Sequence, residues 1–139
     1  GAVRPSLRHL CRDGTRAMRI GIAQVRHDRP LDGIGNAIGA FASKRGYTLI
    51  RNLASHGVGK ALHEAPEEIA TWPTSGDRRR MHDGLVLTVE PFLSRGGEWA
   101  RSGSDDDWTL YSVPAAPVVQ YEHTVVATRH GAIVTTLPG

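Results

Sequence analysis

Apolar positions recur at helical spacing twice near the start of the chain. From Pro5 to about Ile22, Leu7, Leu10, Cys11, Ala17 and Met18 follow a helical period behind a proline suited to a first turn, with Ser6 as the cap. After the polar stretch Arg26 to Pro30, the residues Leu31, Ile34, Ala37, Ile38 and Phe41 repeat the i, i+3, i+4, i+7 pattern, and this second helix ends near Gly46. Beyond it the period changes. Tyr47 to Leu53, Gly84 to Ser94, Thr109 to Val113, Val118 to Thr128 and Ala132 to Leu137 read as strands. Helices first and strands afterwards imply an α+β fold, with two helices packed on one face of a curved, mainly antiparallel sheet. The segments Ala65 to Asp83 and Arg95 to Asp107 are rich in Pro, Gly, Ser and charge and are expected as surface connections.

The 139 residues, 40% hydrophobic and 22% charged, suit a single domain spanning 1–139 with its own core. Sixteen glycines and eight prolines argue against a helical bundle. The formal charge of +3 comes largely from arginines in the first third and from Arg78 to Arg80. Neither stretch interleaves stacking aromatics, so the charge reads as a solvated basic surface and no specific nucleic-acid partner is expected. A single cysteine, Cys11, excludes an internal disulfide and a thiolate-rich zinc site; its spacing from Leu7 places it on a buried helix face. No apolar run reaches membrane-spanning length and no signal-peptide core is visible, so the expected setting is cytoplasmic, with no membrane partner.

Three stretches carry chemistry. In Ser55-His56-Gly57-Val58-Gly59-Lys60-Ala61-Leu62-His63-Glu64-Ala65-Pro66, two histidines stand seven residues apart among glycines that let backbone approach a ligand. This is not the zinc-helix motif, since Glu67 stands where a second histidine would be, and it lacks the third glycine of a dinucleotide loop. Gly84 to Pro91 is an almost wholly apolar strand with Glu90 at its far end, and Glu122 interrupts the β-prone run from Gln120 to Val126. Two carboxylates set into otherwise buried strands, with an imidazole, amount to a hard, oxygen-rich metal site. On these residues alone, buried ion pairs with arginine are an equal alternative.

Taken in order, H-G-x-G-x-x-x-H-E-x-P, T-x-E-P and Q-x-E-H-T resemble the signature of the methionine aminopeptidases, from about Leu7 to Leu137. The short connection between Pro66 and Gly84 makes the similarity one to the first, bacterial-like type. The resemblance implies the pita-bread fold, of which this chain matches the C-terminal half. It implies His56, Glu90 and Glu122 as metal ligands, Glu122 bridging two ions, and His63 as the group that hydrogen-bonds the scissile peptide and the developing tetrahedral intermediate. Trp108 matches an aromatic position near the substrate cleft. The implied activity is removal of the initiator methionine from nascent proteins, by attack of a water of lowered pKa on the first peptide carbonyl while Glu90 shuttles the proton.

The family's two remaining ligands are aspartates ten residues apart, preceding this region. Asp13, Asp28, Asp32, Asp77, Asp83, Asp105, Asp106 and Asp107 offer no such pair, and most read as turn or cap residues. The expectation is therefore at most one divalent ion (Co, Mn, Fe or Zn) in this chain, where the complete family site holds two. Ser55 stands where the family usually has glycine, a change expected to have little consequence. Two functions follow from the resemblance: an aminopeptidase domain completed by an N-terminal half, acting on a peptide or nascent chain, or a non-catalytic pita-bread module that contacts the ribosome or another protein.

Overall fold

A computed structural model describes residues 3–103, 106 and 108–138. Two helices come first, α1 (Pro5–Ile22) and α2 (Asp32–Lys44). Pro5 occupies the first turn of α1 as its fixed φ allows, but Ser6 lies inside the helix and no side chain caps its start. Leu10, Ala17 and Met18 of α1 and Ile34, Ile38 and Ala42 of α2 are buried, as the period requires. Cys11 is only half-buried. Asp13, whose type suggested a turn, lies instead in mid-helix, 3% exposed, where it accepts a hydrogen bond from the Tyr47 hydroxyl at 3.1 Å and faces the Arg45 guanidinium at 3.6 Å.

The strands are β1 (Thr48–Leu49), β2 (Ser55–Gly57), β3 (Glu64–Ile69), β4 (Val86–Val89), β5 (Phe92–Ser94), β6 (Trp99–Ser102), β7 (Leu110–Val113), β8 (Val118–Gln120), β9 (His123–Thr128) and β10 (Gly131–Val134). Every pairing is antiparallel. They form a five-stranded sheet in the order β10-β9-β4-β2-β3, a three-stranded sheet β1-β5-β8 and the hairpin β6-β7. Two of the expected strands are thus divided between sheets. The run from Gly84 to Ser94 breaks after Val89 and resumes at Phe92, and the run from Val118 to Thr128 breaks between Gln120 and His123. A strand that leaves one sheet for another must abandon its ladder at the corner, and these two corners carry Glu90 and Glu122.

The segment from Ala65 to Asp83, expected as a surface connection, contains most of β3 and buries Ile69, Thr71 and Met81. Its charges and Pro66 suit a sheet edge, where one side of the backbone needs no ladder partner, and that composition imitates a loop. Arg95 to Asp107 likewise holds β6, half of an exposed hairpin. The core lies between the helices and the large sheet, where Leu10, Ile34, Ile38, Ile69, Leu87, Val89 and Val125 are all fully buried. Helix α1 sits tightly here: a Cβ at Gly21 would lie 2.8 Å from Ile38 Cδ1 and 2.9 Å from Val89 Cγ1. That contact anchors the end of β4, and hence the residue that follows it, against the helix layer.

Candidate metal centre

His56 is the middle residue of β2, the strand next to β4, and is 7% exposed. Its Nδ1 lies 2.8 Å from the Gly57 carbonyl, an oxygen that only accepts, so Nδ1 donates there, and Nε2 on the other side of the ring lies 3.3 Å from Glu90 Oε1. Gly57 is needed at this bend because a Cβ there would collide with the Ala65 carbonyl of β3.

Glu90 follows the last residue of β4 and is half-buried. Its Oε1 accepts a 2.8 Å hydrogen bond from the Thr88 hydroxyl, which itself accepts the His56 backbone N–H at 3.1 Å. Burial raises the Glu90 carboxyl above the ordinary carboxylate value; the Thr88 hydrogen bond opposes that rise, and the negative charge of Glu122 adds to it. Glu122, expected in a buried strand, is exposed in the break between β8 and β9, with Gln120 Nε2 donating to its Oε2 at 3.1 Å. The reason is the corner itself, where the chain leaves one sheet and the side chain escapes both.

His63 lies just before β3, exposed, with its ring 4.0 Å from the His56 ring, centroid to centroid, and tilted by 44°. Trp108 is 90% exposed beside β7, its amide bonded to Asp106 Oδ1 at 2.8 Å, so it is not packed into a cleft with these residues. Asp105 and Asp107 lie outside the described residues. The structure therefore brings together His56, His63 and Glu90 and sets Glu122 within electrostatic reach of Glu90. Among the described residues no three of His, Cys, Asp and Glu converge closely enough to hold a metal ion.

An imidazole nitrogen and a carboxylate oxygen 3.3 Å apart, with a second carboxylate within electrostatic reach, are donor types that suit a divalent cation. His56 and Glu90 would be the groups to hold such an ion, with the Glu122 carboxylate as a further donor. Sequence reasoning missed three supporting groups: Thr88, Ser55 and Gln120. The first was within reach, since residues i and i+2 share one side of a strand and Thr88 precedes Glu90 by two. Ser55, dismissed as a small change, is fully buried and its Oγ accepts the Glu90 backbone N–H at 3.1 Å.

Helices packed on antiparallel sheets, with a histidine and a carboxylate brought together where the sheets part, are one half of the pita-bread fold found in solved methionine aminopeptidases. Methionine aminopeptidase from Rickettsia prowazekii superposes with a TM-score of 0.92 at 31% identity, over 99% of this chain and 55% of that one. The Thermotoga maritima methionine aminopeptidase gives 0.91 at 27% identity, covering 99% and 55%. Among curated relatives, methionine aminopeptidase of Staphylococcus epidermidis is 33% identical over 132 residues, 95% of this chain and 52% of its own length. Methionine aminopeptidase 2 of Bacillus subtilis is 33% identical over 130 residues, with 94% and 52% covered. Residues 1–129 match Metallopeptidase family M24, and the chain belongs to that family. It spans about half the length of these relatives.

Proposed function

We propose that this chain supplies the ligand-bearing C-terminal half of a methionine aminopeptidase, a metal-dependent enzyme that removes the initiator methionine from nascent proteins, and that further carboxylate ligands come from outside residues 1–139. The observation that carries the reading is the pairing of His56 Nε2 with Glu90 Oε1 at 3.3 Å, with the His63 ring 4.0 Å from that of His56. Kinship with methionine aminopeptidases over 95% of the chain supports it. In this reading His56, Glu90 and Glu122 hold one divalent ion, which supplies an activated water and polarisation of the scissile carbonyl.

The protein's own groups do the rest. Burial holds the Glu90 carboxyl above the ordinary carboxylate value, and a carboxylate that holds its proton more readily is closer to the acidity a shuttle needs. His63 is exposed above the pair, where its ring donates a hydrogen bond to the substrate carbonyl as negative charge develops.

The test separates ligand from substrate contact in whichever assembly is active, this protein alone or joined to a complementary N-terminal half. His63→Ala should leave metal content unchanged and lower kcat on a methionyl peptide by roughly 10²-fold to 10³-fold, the scale of one lost oxyanion donor. Glu122→Ala should remove metal and activity together. Loss of metal in His63→Ala would make His63 a ligand instead, and full activity in either variant would remove the catalytic reading.

A further inference from the structure

Strands β2 and β4 form a backbone ladder only at Gly57 and Leu87. Toward Glu90 they part, and side-chain hydroxyls take over. One residue along, the His56 N–H is accepted by Thr88 Oγ1 at 3.1 Å; at the next step the Glu90 N–H is accepted by Ser55 Oγ at 3.1 Å. Ser55 has no solvent exposure, and Glu90 is followed by Pro91, which carries no N–H, and then by β5 in the other sheet. The Glu90 amide is thus the last backbone donor of this segment before the corner. The Ser55 oxygen meets it inside the protein, where an unpaired N–H is costly. A glycine at position 55 would have no atom to offer.

We propose that Ser55 is a positioning residue for the metal centre, tying the backbone of Glu90 to the residue adjacent to His56 so that the two side chains hold their separation. The inference rests on the reading of Glu90 and His56 as ligands. Glu90 is then gripped at both ends, by Ser55 at its amide and by Thr88 at Oε1. Neither grip uses a group that itself ligates. The oxygen of Ser55 acts only through Glu90, which makes its contribution one of orientation and distance between ligands.

Two measurements on the same protein test this. In the metal-free protein the Glu90 amide should be protected from hydrogen exchange, and Ser55→Ala should remove that protection. Titration with Mn2+ by calorimetry should show Ser55→Ala and Ser55→Gly binding roughly 10-fold to 100-fold more weakly than the unmutated protein. Ser94→Ala is the control for general loss of stability. Ser94 is equally buried, and its hydroxyl bonds Gly97 and Pro117 rather than the site, so its removal should leave Mn2+ affinity unchanged. Affinity in Ser55→Ala equal to that of the unmutated protein overturns the positioning role, as does a freely exchanging Glu90 amide in the unmutated protein. Absence of any Mn2+ binding by the unmutated protein overturns the metal-centre reading itself. Should Ser55→Ala not fold, exchange at Glu90 in the unmutated protein and the affinity of Ser55→Gly decide the matter.

Discussion

Glu90 holds two demands in tension. As a ligand it must be ionised, yet burial and the nearby Glu122 both favour its protonated form. A carboxyl whose folded value is raised above its ordinary 4.5 contributes stability at pH below that value and loses it as pH rises through the raised one. In the metal-free protein, stability should accordingly fall as pH rises through that window. Glu90→Gln keeps an oxygen for the Thr88 hydroxyl and carries no charge, so it should raise the thermal midpoint in chelator at neutral pH while abolishing metal binding. A midpoint equal to or below that of the unmutated protein would show that Glu90 is not strained in the fold. The same tension explains why the site was partly legible in the sequence. Carboxylates at the ends of apolar runs are costly enough to mark a function, whereas the hydroxyls that support them, Ser55 and Thr88, are ordinary strand residues and carry no such mark.

Each element combines a face that the sequence states clearly with ends that it does not. Both helices follow from apolar spacing, and Leu10, Ala17, Met18, Ile34 and Ile38 of that pattern are buried. Strand ends were harder to place because Gly84 to Ser94 and Val118 to Thr128 keep their β-prone composition across the corners, while the ladder changes partners there. Strand β3 was missed because an edge strand with three glutamates and a proline has a loop's composition. Helix packing supplies a test at this scale. Gly33, in the first turn of α2, has nothing within 4 Å of where a Cβ would stand, so Gly33→Ala should stabilise by about 0.5–1 kcal/mol. Gly21→Leu should destabilise by about 1–3 kcal/mol, since Ile38 and Val89 already fill the space. Urea denaturation of both variants checks the pair, and tolerance of leucine at Gly21 would mean that α1 stands further from β4 than described.

The molecule buries one core and leaves several large apolar side chains exposed. Trp99, Leu110, Tyr111 and Val113 are all exposed on the β6-β7 hairpin, and Leu62 is exposed next to His63. Apolar clusters of this kind drive association. The 139-residue protein should therefore self-associate or bind a complementary half, and a concentration-independent monomer that binds no hydrophobic dye would count against that. For the metal centre, the most direct measurement is calorimetric titration of the same protein with Mn2+. A single ion should bind, weakly, and His56→Ala, Glu90→Ala and Glu122→Ala should each abolish the signal, because these are the ligands proposed within residues 1–139. Two tightly bound ions, or binding that survives loss of His56, would contradict the assignment of the site.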